Sequence, residues 1–278
     1  MNYRRQEADK AHPDTCGWIF THDSFTQWNS RDRGLLWIKG KPGAGKSTLM
    51  ALVHHHFQDK PAGVQDLGLD FFFHGRGTVL QKIPLGMFRS LLHQVYSREP
   101  SVREPIRRTF DEKKGFGEAG KDWEWHPKEL QDLLFNAVVR AAELRRVTIF
   151  VDALDEAGSE AEALVEYFHK LNDRLVQTNG IARVCISCRH YPIPAIAPGL
   201  EIWVEKNNQK DISIFVQAEL RLKLQAKYHS PDSSAWRDLE QHLAQQASGV
   251  FQWIGIFVFG GFSRPRSGFR GPRELTDR

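Results

Sequence analysis

Residues 35–50 read LLWIKGKPGAGKSTLM, an apolar run that gives way to Gly40, Lys41, Pro42, Gly43, Ala44, Gly45, Lys46, Ser47 and Thr48 before a helical pattern resumes. The spacing Gly40-x4-Gly45-Lys46-Ser47 suits one task. Glycines let the backbone turn its N–H groups onto phosphate oxygens, and the following helix N-terminus adds partial positive charge. A lysine in this place reaches β- and γ-phosphates, and a hydroxyl directly after it can ligate magnesium. Residues 40–48 are therefore expected to form a phosphate-binding loop, with Ser47 as a Mg2+ ligand.

A second segment, VTIFVDALDEAG from Val147 to Gly158, runs an apolar strand into acids at its carboxyl end, where ligands collect in open α/β sheets. Asp152 is placed to hold Mg2+, usually through water. Asp155 and Glu156 follow, and either can orient or deprotonate an attacking water, which is largely a positioning role in phosphoryl transfer. Taken alone, the cluster also reads as an ordinary acidic strand-to-helix loop. Arg189 ends a later apolar run, ARVCISCRHYP, where a guanidinium can reach a γ-phosphate; it reads equally as a surface arginine.

Other candidate chemistry is weaker. Cys185 and Cys188 are three apart on a strand and so face opposite ways, which favours packing over metal or redox work. His54, His55 and His56 fan out by about 100° per residue on the helix after the loop, and a partly solvated helix face is expected for them. Asn208, Gln209, Lys210 and Asp211 look like a guanine-reading Asn-Lys-x-Asp, but the lysine is displaced by one position, so adenine is the better reading.

Five apolar runs can position these groups: Leu35 to Lys39, Leu69 to Phe73, Val147 to Val151, Arg183 to Cys188 and Leu200 to Val204. Their alternation with helical patterns argues for a parallel sheet covered on both faces. One amphipathic helix opens at Pro127 and carries Leu130, Leu133, Leu134, Ala137, Val138, Ala141 and Leu144 at helical spacing, a stripe expected to face the core. Another is expected to follow the third strand directly, starting at Ser159 with Glu162 completing a capping box. After Val204 only helical patterns remain, through Leu220 and then from Trp236 to Ala247. The expected organisation is a lead segment at 1–33, an α/β core at 34–204, a small helical subdomain at 205–262 and a disordered basic tail at 263–278.

Bulk properties bound the classes of function. With 278 residues, 41% hydrophobic and 26% charged, the chain suits a globular body. Its formal charge is +4, and the last sixteen residues carry a local +3, so the body is nearly neutral and a nucleic-acid partner is not expected. The longest apolar run, Val250 to Phe262, is shorter than the roughly 20 residues a membrane span needs. Three cysteines give no disulfide framework and no leader precedes them, so a cytoplasmic, reducing location is expected.

The ordered blocks TCGWIF, LLWIKGKPGAGKSTLM, FFFHGRGT, FRSLLHQV, VDALDE, ISCRHYP and SGVFQWI resemble the NACHT module of fungal NOD-like receptor (STAND) proteins, P-loop NTPases that act as signalling switches. The resemblance implies a three-layer sandwich around a mainly parallel five-stranded sheet of order 5-1-4-3-2. It further implies ATP or ADP with Mg2+, Asp152 as the magnesium-linked acid, Asp155 or Glu156 as the hydrolytic acid, and Arg189 as a sensor. An adenine surface around Thr15, Cys16 and Trp18 follows from the likeness alone. Family members carry an effector domain before this module and a winged-helix region with a sensing repeat array after it, so the chain is expected to be an incomplete switch. The leading expectation is an ATP-binding module that hydrolyses slowly and changes contacts with protein partners, or with itself, according to nucleotide state. The alternatives are a small-molecule kinase and a nucleotide-binding remnant without catalysis.

Overall fold

The computed structural model describes residues 12, 14–58, 66–190, 199–224 and 234–254. They divide into two compact units, one built from Ile19–Gly40 and Lys46–Ile202, the other from His12–Trp18, Lys41–Gly45 and the described residues from Trp203 onward.

The first unit is an α/β body. Its strands are β1 (Gly34–Lys39), β2 (Leu67–Phe72), β3 (Val147–Asp152) and β4 (Ala182–Cys188), with β5 (Leu200–Trp203) completing the sheet. The order is β2-β3-β4-β1-β5, which is the expected 5-1-4-3-2 read from the other edge. Pairings of β1 with β4, β3 with β4 and β2 with β3 are parallel, with Leu36 opposite Cys185 and Val151 opposite Ile186. Every residue of β3 and β4 is buried, which is why both read as nearly continuous apolar runs rather than alternating ones.

Helices cover both faces of the sheet. On one lie α1 (Asp23–Ser30) and α2 (Lys46–Gln58), whose Trp28 and Phe57 rings stack edge to face at 5.9 Å while Phe57 packs on Phe150 at 5.5 Å. The other face takes α3 (Pro84–Arg98), α5 (Pro127–Leu144) and α6 (Ala161–Thr178), with α4 (Arg103–Lys114) following α3. Here Leu91, Val95, Leu134, Val138, Leu164 and Phe168 form one core with Val147, Ile149 and Val151. The alternation along β3, Phe150 to one side and Ile149 and Val151 to the other, produces three layers, helices on either side of the sheet.

Several local expectations need correction. The capping box at Ser159 is not made: a 3-10 segment, Leu154–Glu160, follows β3, and α6 starts at Ala161 with Glu160 as an N-cap without a side-chain bond. Gly158, at φ 65° and ψ −133°, breaks the helical path there. His54 does not line a solvated face; it is fully buried, its ring edge-on to Phe150 at 5.2 Å and its Nε2 3.5 Å from Asp70 Oδ1. Only His55 and His56 reach partial or full exposure. The fifth strand ends at Trp203, and Val204 opens the short α7 (Val204–Asn207).

In the second unit, α8 (Gln209–Leu224) and α9 (Ser234–Ala247) pack through Ile212, Val216 and Leu220 against Trp236, Leu243 and Ala247, with Ile254 closing the cluster. The expected tail at 263–278 and the end of the apolar run, 255–262, lie outside the described residues.

Candidate functional site

At the carboxyl end of the sheet, β1 delivers the chain into the glycine loop and α2 receives it. Gly40 N–H donates to the Cys188 carbonyl at 3.3 Å, tying the loop's start to the end of β4. Lys46 Nζ donates to the Gly40 carbonyl at 2.8 Å, so the lysine arches over its own loop's root. Burial depresses its pKa, an effect that Asp155 and Asp152 oppose. An ammonium held in a partly desolvated place interacts strongly with any anion that arrives there.

Ser47, one residue on, donates from Oγ to Asp152 Oδ2 at 2.6 Å. Asp152 is fully buried at the tip of β3, and its second oxygen accepts from Ser187 Oγ at 2.5 Å. Ser187 Oγ also accepts the Ala153 N–H at 2.8 Å. Neighbouring strands bring this serine to the acid, because Val151 pairs with Ile186 and the next residues in each strand are Asp152 and Ser187. Immediately past the acid, Ala153 takes the left-handed conformation, φ 54° and ψ 48°, at a buried position. Such a backbone is uncommon outside glycine, asparagine and aspartate, and it swings the chain into the 3-10 turn bearing Asp155 and Glu156.

The two following acids have different partners. Asp155, almost wholly buried, accepts from the Arg189 backbone N–H at 3.0 Å and pairs with its guanidinium Nε at 2.9 Å. Arg189 itself remains about half exposed. Glu156 accepts the backbone N–H of Gly75, within the FFFHGRGT block that follows β2. The structure thus gathers Gly40, Lys46, Ser47, Asp152, Asp155, Glu156 and Arg189 at the carboxyl ends of β1, β3 and β4.

Residues Lys41, Pro42, Gly43, Ala44 and Gly45, the tip of the loop, cluster with the second unit. Gly43 and Gly45 have φ of +74° and +93°, which is the backbone reason for glycine at both places. Thr48 lies in the first turn of α2. In the lead segment, Cys16 is buried with φ 67°, and burial followed by the nearby Asp211 charge pushes its thiol up to about 11. Cys185 and Cys188 are free and buried, one toward each face of the sheet; burial raises both, Cys188 to about 12.

Ser187 escaped the sequence reading, since a serine within an apolar strand carries no signal until strand order puts it beside Asp152. Gly75 escaped it too. A cavity of about 880 Å3 lies beside Phe71, Leu92, Tyr96, Phe110, Trp125 and Leu130 and contains none of the predicted site residues. Among the described residues no helix is long and apolar enough to cross a membrane.

Comparison with known proteins adds the lineage. Residues 14–189 match the family model described as Nephrocystin 3, N-terminal. Vegetative incompatibility protein HET-E-1 of Podospora anserina is 26% identical over 255 residues, covering 87% of this chain and 18% of that protein, so the chain spans about a fifth of its relative's length. Among solved structures, a Walker-type ATPase of Pyrococcus abyssi aligns at 13% identity and a TM-score of 0.44, covering 91% of this chain and 71% of that one. PCH-2 of C. elegans aligns at 14% identity and a TM-score of 0.40, covering 91% and 61%.

Proposed function

We propose that this chain, which belongs to the Nephrocystin 3, N-terminal family and is a NACHT-type P-loop NTPase module, binds ATP with Mg2+, hydrolyses it slowly and serves as a nucleotide-dependent signalling switch. The observation that carries this reading is the Ser47–Asp152 contact, a hydroxyl and a buried carboxylate from two motifs 105 residues apart meeting at 2.6 Å beside the lysine. Both groups that meet there offer oxygen, the donor a hard divalent cation prefers, so the residues fit Mg2+. When bound, the ion would neutralise charge on the nucleotide's β- and γ-phosphates.

Under this reading, residues 40–48 cradle the phosphates with backbone N–H groups, and Lys46 adds a cation to the β- and γ-phosphates. Ser47 and Asp152 hold the metal side. Arg189 reports the γ-phosphate: its guanidinium pairs with Asp155 and is half exposed, so a terminal phosphate can compete for it. The slow turnover follows from the two acids. Asp155 is committed to Arg189 and Glu156 to Gly75, so either must exchange a hydrogen bond before it can orient water. The same engagement favours a second reading, nucleotide binding without measurable hydrolysis.

Calorimetric titration with ATP and Mg2+ tests the assignment. Lys46→Ala is expected to abolish detectable binding, whereas Glu156→Gln keeps binding and slows phosphate release at least tenfold, about 1.4 kcal/mol. Unchanged ATP affinity in the lysine variant would sink the site. Intact binding with no phosphate release by the wild-type chain would select the second reading.

A further inference from the structure

The Asn208 to Asp211 tetrapeptide, rejected above as a guanine reader, is nevertheless not idle. Asn208 and Asp211 stand at the junction of α7 and α8, and both side chains are almost entirely buried. Asn208 Nδ2 donates to two carbonyls, Ala44 O at 3.1 Å and Gly249 O at 2.9 Å. Only the amide nitrogen can make both bonds, so the side-chain orientation is determined. Asp211 Oδ2 accepts the Cys16 backbone N–H at 2.8 Å and the Trp18 indole N–H at 2.9 Å. One helical turn therefore grips both the tip of the phosphate loop and the lead segment.

Further contacts around the tip come from the SGVFQWI block. Gln252 N–H donates to the Gly43 carbonyl at 3.4 Å, and Lys41 Nζ donates to the Ser248 carbonyl at 3.4 Å. A Cβ on Gly43 would come within 2.5 Å of Gln252 Cβ, and one on Gly45 within 3.2 Å of the Phe251 ring. The geometry bears directly on phosphate binding. In a trans peptide the carbonyl and the next N–H point opposite ways, so drawing Ala44 O onto Asn208 turns the Gly45 N–H away from it. A loop that must present N–H groups to an anion gains from having its carbonyls held elsewhere.

We propose that Asn208 is a positioning residue of the nucleotide site, holding the Lys41–Gly45 tip with its N–H groups turned toward phosphate. This rests on the nucleotide-binding reading above. The segment after β5 thereby belongs to the binding machinery, although none of its side chains needs to touch the nucleotide.

The test uses the full chain with Asn208→Ala, Asn208→Ser and, as reference, Lys46→Ala. Two quantities are read: the Kd for N-methylanthraniloyl-ATP, and backbone hydrogen exchange of peptides covering 41–45 and 35–38 without nucleotide. Asn208→Ala is expected to weaken binding about tenfold, two hydrogen bonds being lost, and to speed exchange at 41–45 while leaving 35–38 unchanged. Asn208→Ser, which keeps one donor, is expected to recover part of the affinity and protection. Should Asn208→Ala fail to fold, the serine variant decides by the same readouts. Affinity within twofold of wild type in the asparagine variants, with Lys46→Ala devoid of binding, overturns the proposal. If Lys46→Ala binds normally, the nucleotide reading falls instead, and exchange at 41–45 still decides whether Asn208 holds the tip: unchanged protection overturns it.

Discussion

A single strand, β4, carries an arginine at its second residue and another just beyond its end, and the two have opposite surroundings. Arg183 is fully buried, its guanidinium 5.0 Å from the Trp28 ring centre and 5.4 Å from that of Phe57, with Nη1 donating to the Asn29 carbonyl and, at 2.9 Å, to its side chain. Burial pulls its pKa down to about 10. Arg189 sits half in solvent and answers a buried carboxylate. A cation enclosed by aromatic rings and the oxygens of one asparagine is shut off from any arriving ligand, whereas one held by a carboxylate at the open end of a parallel sheet can change partner. Position along the strand, more than residue type, separates the enclosed arginine from the exposed one.

Four substitutions can break or sharpen that contrast. The largest effect is expected from Arg183→Ala, which empties a buried volume and strips Asn29 of its partner, at a cost of about 2 to 4 kcal/mol. Thermal unfolding should fall by roughly 5 to 10 °C while ATP affinity in the folded protein stays within twofold; a matching collapse in affinity would mean that Arg183 serves the site. Asp152→Asn comes next. Losing the carboxylate should weaken the Mg2+-dependent part of ATP binding by about tenfold to a hundredfold, read as the difference between titrations with Mg2+ and with chelator. For Arg189→Ala we expect an about fivefold to tenfold loss for ATP and almost none for ADP, since only the triphosphate offers a γ-phosphate. Equal losses for both nucleotides would return Arg189 to the scaffold class. Arg189→Lys should cost least, about twofold to threefold for ATP, because the charge survives and the planar fork does not.

The legible part of the molecule was the part whose signal is local. Strands β1, β3 and β4 stand out because burial on both faces leaves continuous apolar runs, and the glycine loop because its backbone demands fall within eight residues. What could not be read depends on partners distant in sequence. The Asp155–Arg189 pair spans 34 residues, and the Asn208–Ala44 bond spans 164. His54 illustrates the same limit: helical spacing predicts that three consecutive histidines diverge, but not which one turns toward Asp70 and the sheet. Near Ser159 the capping pattern was present, yet Gly158 broke the path and the helix started two residues later. The lead segment likewise hid α1, whose Phe25 and Trp28 are buried, because eight residues are too few for a clear period.

Ala153 has one consequence for how this site can vary. Its left-handed backbone excludes β-branched side chains, and its burial excludes long ones. The position behind the acid is therefore open to a very small alphabet, glycine above all, so drift along this hinge must be nearly silent while its neighbours Asp152 and Leu154 answer to quite different demands. A mutational census of functional variants should find a narrow column at 153, set by backbone shape and burial together.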